Sequence, residues 1–82
     1  MPKLVECVPN FSEGRREEVI EQISGVVLEA QYAGLEVRLL NHSADRDHNR
    51  MVVTFVGEPD AVLEVAFLMA QKAVELIDMN HH

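Results

Sequence analysis

One short stretch of this chain concentrates the residues that could carry out chemistry. It runs from Asn41 to Arg50 and holds two aspartates, two histidines and two arginines, with almost no apolar side chain. Carboxylates and amides orient polar ligand groups, and an arginine can hold a carboxylate through two parallel hydrogen bonds. The candidate substrate-binding residues are Asp45, Asp47, His48, Asn49, Arg50 and, from an earlier turn, Asn10.

Three interpretations of the stretch Asn41–Asn49 stay open. It is long for a hairpin connection, and long loops are usually functional or disordered, which favours a ligand-binding loop. A solvated hairpin loop of turn-forming residues explains the same composition. Metal binding by His42, Asp45, Asp47 and His48 has the least support, because their spacing matches no zinc or calcium pattern. We therefore predict no metal site.

The first element that must position this stretch is a strand. The residues from Lys3 to Val8 are mostly apolar, and Pro9 should end the strand because proline has no N–H to give to a sheet. Glu6 indicates that one side of the strand faces water or lies at a sheet edge.

A long amphipathic helix should follow. We predict that it begins at Glu13 or Gly14, with Ser12 as its N-cap, and runs to about Ala30. Gly34 is expected to adopt the left-handed conformation that terminates helices. The apolar residues that recur at helical spacing are Val19, Ile20, Ile23, Val26, Val27 and Ala30.

Two further strands flank the polar stretch. Leu35–Leu40 alternates with period two, so Leu35, Val37 and Leu39 should face the core. Met51–Val56 is richer in β-branched residues and more apolar on both faces, which is typical of an interior strand.

A second helix is predicted from Pro59, which suits the first helical position, to about Met79. Its polar residues fall within one sector, and Leu68 is an apolar exception inside that sector. The remaining apolar arc is wider than one sheet face requires. Either the core is overfilled, or a subunit or another part of the protein covers the remainder.

The predicted fold is therefore α/β (α+β), with the order β-α-β-β-α and both helices on one face of an open sheet. This order makes most of a ferredoxin-like unit in which the fourth strand is missing. That strand would lie beside the first, so the first strand should have an open edge. We expect residues 1–82 to form a single partial domain that associates as a homodimer.

Composition restricts the partners. The formal net charge of -7 argues against nucleic acid and against an anionic membrane, both of which need a basic surface. The single cysteine, Cys7, cannot form an internal disulfide, and the sequence shows neither a signal peptide nor a membrane-spanning run. A cytoplasmic protein is expected.

Three separated segments resemble one enzyme family, the glutamate formimidoyltransferases. They are Leu4–Gly14, the run Asp45–Arg50 followed by Thr54–Pro59, and Leu76–Met79 with the next two residues, the second of which is a histidine. The second segment is similar to a D-x-D-H-N-R loop and a T-F-V-G-x-P turn of the bacterial enzymes. The resemblance covers the whole chain and implies its N-terminal subdomain.

The resemblance implies a transferase that moves a formimino group between N-formimino-L-glutamate and tetrahydrofolate, in histidine degradation and one-carbon metabolism. It places the folate between this subdomain and a second one. The family's general base lies in a G-E-H-P-R-M-G stretch after the histidine that matches His82. His82 is thus not expected to be catalytic, and its neighbour His81 fits either a helix terminus or a remnant purification tag. No catalytic residue is predicted within this chain, so whether it is an enzyme by itself stays open.

A second function class fits the same residues. The chain could be a stand-alone module that binds a small ligand or supports assembly and reuses the fold. The reading frame beyond His82 separates the two hypotheses, because a G-E-H-P-R-M-G stretch there favours the transferase.

Overall fold

Both helices of this chain pack against one face of a four-stranded antiparallel sheet. The computed structural model describes residues 3–13 and 16–77. The elements in chain order are β1 (Val5–Cys7), β2 (Asn10–Phe11), α1 (Glu17–Tyr32), β3 (Val37–Asp45), β4 (Arg50–Gly57) and α2 (Pro59–Leu76). The α+β class and the open sheet are as predicted.

The strand β4 lies at the centre of the sheet. It pairs with β3 on one side and with both β1 and β2 on the other. β1 and β2 share one register, since Cys7 lies opposite Phe55 and Asn10 lies opposite Val52. The prediction of an interior strand over Met51–Val56 is confirmed, with one more residue at each end.

The prediction of a first strand from Lys3 to Val8 is wrong at both ends. Pairing begins at Val5, and it resumes after Pro9 as β2. Proline interrupts the ladder because it has no N–H, but its carbonyl oxygen still accepts a hydrogen bond from the Val53 N–H at 3.1 Å. Pro9 therefore breaks one hydrogen bond without ending the pairing.

The helix α1 begins later than the sequence predicted. Its N-cap is Arg16, and no side chain caps it, so the assignment of Ser12 as N-cap is wrong. A carboxylate oxygen of Glu13 accepts a hydrogen bond from the Arg16 backbone N–H at 3.2 Å. At the other end Gly34 has φ of 95°, as predicted. The N–H of Gly34 and of Leu35 close the helix end by donating to carbonyls of its last turn.

The prediction of a loop over Asn41–Asn49 is also wrong. The strand β3 continues to Asp45 past an irregularity between Leu39 and Asn41, and only the residues from Arg46 to Asn49 form the turn. Polar residues can form this strand because its second half is exposed and its neighbour β4 supplies backbone partners.

The helix α2 begins as predicted, with Pro59 in its first turn and Glu58 as N-cap. The Glu58 carboxylate accepts hydrogen bonds from the backbone N–H groups of Asp60 and Ala61 at 3.1 and 3.3 Å. The helix ends at Leu76 rather than at Met79, which lies outside the described residues. Ile77 adopts an extended conformation and is buried, which stops the helix there.

The core lies between the helices and one face of β4. Met51, Val53 and Phe55 are fully buried there, whereas Val52 and Val56 on the opposite face are only half-buried. The whole predicted apolar row of α1 is buried. No helix within residues 3–13 and 16–77 is long and apolar enough to cross a membrane.

The helix α1 contains a glycine that no contact requires. A Cβ added at Gly25 would meet no atom within 4 Å, so Gly25→Ala should raise the free energy of unfolding by about 1 kcal/mol through helix propensity. Denaturant unfolding followed by circular dichroism measures this change. The matched variant Gly57→Ala should destabilise the chain, because its Cβ would collide with the Glu36 carbonyl oxygen and with Val37. A destabilised Gly25→Ala would contradict the description of α1.

Candidate functional site

The hairpin β3–β4 places most of the predicted site residues at one end of the sheet. Asp45 is the last residue of β3 and lies directly opposite Arg50, the first residue of β4. Residues on the same side of directly opposed strand positions have Cβ atoms about 4.5–5.5 Å apart. Both side chains are exposed, so both are accessible to a ligand.

Asn10 joins them from the other side of β4. It lies opposite Val52, two residues from Arg50, and such a diagonal pair is about 7–8 Å apart. Because side chains alternate along a strand, Asn10, Arg50 and Asp45 share the sheet face that the helices do not cover. The structure thus brings these three predicted residues together across three strands.

The geometry of the turn explains several of the residue types in the D-x-D-H-N sequence. Asp45 Oδ1 accepts hydrogen bonds from the backbone N–H groups of Asp47 at 3.0 Å and His48 at 3.4 Å. Asn49 has φ of 50°, a left-handed conformation that asparagine tolerates better than most residues. Asp45 and Asn49 therefore have structural roles that do not require a ligand.

An exposed hydrogen bond links Asp45 to a histidine in the same turn. The ring Nδ1 of His48 lies 2.5 Å from Asp45 Oδ2. This side-chain hydrogen bond, aided by the backbone N–H groups of Asp47 and His48, lowers the pKa of the Asp45 carboxyl below 3.8, although slight desolvation opposes it. The carboxylate stays ionised, so it can accept hydrogen bonds from a cationic or N–H group.

Arg50 and Asp47 remain the best candidates for direct ligand contact. Among the residues that the structure describes, no carboxylate forms an ion pair with Arg50. Asp47 contributes its backbone N–H to the turn and carries an exposed carboxylate. A free guanidinium at a strand end can bind a carboxylate through two hydrogen bonds. A guanidinium that already forms an ion pair would first have to break that pair.

Sequence reasoning missed the polar residues that extend this surface along β3. Asn41 and Ser43 alternate with Asp45, and they lie opposite Thr54 and Val52. Their period-two spacing was visible in the sequence and would have identified them as one face of a strand. They line the same uncovered face as Arg50.

A second feature that the sequence did not reveal is an ion pair beside α1 between a buried carboxylate and a half-exposed guanidinium. Glu13 is only 2% exposed, and its Oε1 lies 2.7 Å from an amino group of Arg16. The same guanidinium donates to the Leu76 carbonyl oxygen at 3.2 Å. These contacts connect the segment after β2 to the end of α2.

Within residues 3–13 and 16–77, no group of three or more histidine, cysteine or acidic side chains is placed to hold a metal ion.

Replacing His48 tests the hydrogen bond in the turn. His48→Ala should raise the pKa of Asp45 toward 3.8, measured by carboxyl ¹³C NMR titration. Because folding lowers this pKa, ionised Asp45 stabilises the hairpin above its unfolded pKa, and this contribution is lost as the pH falls through the folded pKa. His42→Ala, on the exposed part of β3, is the matched control and should leave Asp45 unchanged. An unaltered Asp45 titration in His48→Ala would disprove the contact.

Comparison with known proteins identifies the family. The model of the formiminotransferase domain, N-terminal subdomain, matches residues 4–82. A formimidoyltransferase-cyclodeaminase of Gallus gallus is 51% identical over all 82 residues, which make up 14% of that protein. Glutamate formimidoyltransferases of Streptococcus pyogenes and Thermoplasma acidophilum are 45% and 39% identical, and the aligned region makes up 26% and 25% of them. The chain thus covers between 14% and 26% of the length of these relatives, and it belongs to the family of formiminotransferase N-terminal subdomains.

Proposed function

We propose that this chain is the N-terminal part of a folate-dependent transferase that moves a formimino group between N-formimino-L-glutamate and tetrahydrofolate. The observation that carries the proposal is the family match over residues 4–82. The similar relatives include proteins named glutamate formimidoyltransferase. The grouping of Asn10, Asp45 and Arg50 on the uncovered sheet face supports it. This face would form one wall of the ligand crevice, and a second subdomain would form the other.

The proposed roles follow from the charges of the ligands. Arg50 would hold a carboxylate of the folate or of formiminoglutamate, which are both anionic, against the overall negative charge of the chain. Asp45 and Asp47 would stabilise the cationic tetrahedral state that forms when an amine attacks the formimino carbon. His48 and Asn49 would orient polar groups of the ligand from the turn.

We further propose that the fold is ferredoxin-like and that the chain works in the cytoplasm as a homodimer. The strand order, with β4 between β3 and the β1–β2 pair, is compatible with three strands of that fold. The single cysteine fits a reducing compartment.

The chain alone should be inactive as a transferase. The family resemblance puts the general base after the histidine that matches His82, and general base catalysis typically contributes about 10²- to 10⁴-fold in rate. Turnover of formiminoglutamate with tetrahydrofolate by the purified chain, compared with the Streptococcus pyogenes relative, measures this. A rate near that of the relative would favour a self-sufficient enzyme, whereas ligand binding without turnover fits both the proposal and a stand-alone binding module.

A chimera separates those two alternatives and tests Arg50. When this chain replaces the matching segment of the Streptococcus pyogenes relative, we expect activity, and Arg50→Lys should lower kcat/KM by at least about tenfold, because lysine cannot make the planar two-pronged contact. Arg38→Lys, in the same hairpin near its other end, is the matched control. If Arg50 only makes surface ion pairs, worth about 0–1 kcal/mol, the kinetics and melting temperature should stay unchanged.

A further inference from the structure

One hydrogen bond in the hairpin turn fixes both the orientation and the tautomer of a histidine. Asp45 Oδ2 lies 2.5 Å from Nδ1 of His48, while Asp45 Oδ1 accepts from two backbone N–H groups of the turn. An ionised carboxylate accepts hydrogen bonds and has no proton to donate, so Nδ1 must carry the hydrogen of this bond. When the ring is neutral, its lone pair is therefore on the other nitrogen, Nε2.

The second ring nitrogen of His48 is available for proton transfer. Within residues 3–13 and 16–77 no hydrogen bond uses Nε2, and the His48 side chain is 74% exposed. Histidine is the side chain whose charge ordinarily changes near neutral pH. An imidazole with one nitrogen held by a carboxylate and the other open is the arrangement of an oriented general acid or base.

This pair stands beside the guanidinium that the proposed function assigns to a ligand carboxylate. Asp45 lies directly opposite Arg50 across the hairpin. In N-formimino-L-glutamate, the α-carboxylate and the nitrogen that carries the formimino group are attached to the same carbon atom. If Arg50 binds that carboxylate, the nitrogen is brought close to the turn that carries His48.

We propose that His48 is the general acid that protonates the departing glutamate nitrogen, while Arg50 binds the α-carboxylate of the same molecule and Asp45 positions the imidazole. The proposal rests on the proposed transferase function and adds to it the orientation of formiminoglutamate and a proton donor for its nitrogen. His48 is then a catalytic residue of the complete enzyme, and Asp45 is a positioning residue that acts through it.

The transfer requires two proton movements. When the tetrahydrofolate nitrogen attacks the protonated formimino group, a C–N bond forms, the C=N electron pair moves to the imino nitrogen, and a base removes the proton of the attacking nitrogen. In the second step the bond from carbon to the glutamate nitrogen breaks. Its electron pair stays on that nitrogen, which takes the proton of His48 Nε2, while the lone pair of the amino group restores the C=N bond. The base gains one proton and His48 loses one, so the sum is balanced.

The second proton movement explains why an acid is needed at this place. An amine that leaves without a proton departs as an anion, which is a very poor leaving group. A positioned acid removes that difficulty and typically contributes about 10²- to 10⁴-fold in rate.

Nitrogen NMR of the imidazole tests the geometry without an enzyme assay. In this chain, ¹⁵N shifts of neutral His48 should show the hydrogen on Nδ1. Asp45→Asn should move it to Nε2, because the amide oxygen keeps the two backbone contacts and the amide nitrogen that replaces Oδ2 is a donor. His42, which lies opposite Val53 on the other face of β3, is the control and should not change. A hydrogen on Nε2 of His48 in the unsubstituted chain would overturn the proposal.

Kinetics of the chimera with the Streptococcus pyogenes relative test the role as an acid. His48→Asn keeps an N–H group that can donate to Asp45 but has no nitrogen that transfers a proton at neutral pH. It should lower kcat at least about 10²-fold and change KM less than about twofold. His42→Asn is the matched control and should keep both constants. Circular dichroism checks that each variant is folded.

The pH profile separates proton transfer from a structural role. In the direction from formiminoglutamate, kcat should fall as rising pH removes the proton of the acid, and in the reverse direction it should fall as the pH is lowered. Both limbs should disappear in His48→Asn. The charged groups around the ring are Asp45, Arg46, Asp47 and Arg50, and carboxylates and guanidinium groups ordinarily keep their charge between about pH 6 and pH 9.

A substrate analogue tests the orientation. N-Formimino-γ-aminobutyrate lacks the α-carboxylate and keeps the distal one. Arg50→Lys should lower kcat/KM for formiminoglutamate at least about tenfold, but it should stay within about twofold for the analogue, because the contact is already absent. An equal loss with both substrates would show that Arg50 binds another carboxylate, which would overturn the proposed orientation.

The outcomes distinguish this proposal from the function on which it rests. An inactive but folded chimera would overturn the transferase function and this proposal with it. An active chimera in which His48→Asn keeps kcat, or changes only KM, would leave the transferase function standing and overturn the acid role. A lower kcat that retains both pH limbs would make His48 a structural residue of the turn and would also overturn it.

Discussion

The central strand β4 is the constraint on which the rest of this structure depends. One face of it, formed by Met51, Val53 and Phe55, is fully buried and supplies the surface that both helices cover. Its two edges pair with every other strand of the sheet. Because both helices lie on one side, no helix covers the other face of β4, which is formed by Val52, Thr54 and polar neighbours. The packing that forms the core therefore also creates the surface on which the candidate site lies.

The hairpin turn shows how one set of residues can serve the fold and a ligand together. Asp45 accepts backbone hydrogen bonds that shape the turn, and Asn49 adopts the left-handed conformation that closes it. The D-x-D-H-N-R sequence, which resembles a family motif, is thus explained in part by the turn that it forms. Arg50 is different, because the turn does not need its guanidinium. Arg50 is therefore the stronger candidate for ligand binding, because no contact that shapes the turn uses its guanidinium.

The outer side of α2 shows apolar surface that these 82 residues leave uncovered. A chain of 82 residues buries only about 60% of the surface of its unfolded form, so uncovered apolar side chains are costly relative to its stability. Leu63, Phe67 and Val74 on the outer side of α2 are exposed apolar side chains of this kind.

The sequence by itself determined the order β-α-β-β-α apart from the division of the first strand at Pro9, the buried row of α1, the start of α2 at Pro59 and the left-handed Gly34. These features follow from local periodicity and from residues whose backbone preferences are strong. The family resemblance was also readable, because it rests on short motifs in order.

Only the tertiary structure decided the features that depend on distant partners. Pairing with β4 extended β3 through the polar residues up to Asp45, since backbone hydrogen bonds do not depend on side-chain polarity. The same pairing carried the first strand past Pro9, and a hydrogen bond from Arg16 to the Leu76 carbonyl oxygen links the start of α1 to the end of α2. The grouping of Asn10 with Arg50 required the register of two strands far apart in the chain, and register is set by the packing of a whole sheet face rather than by local sequence.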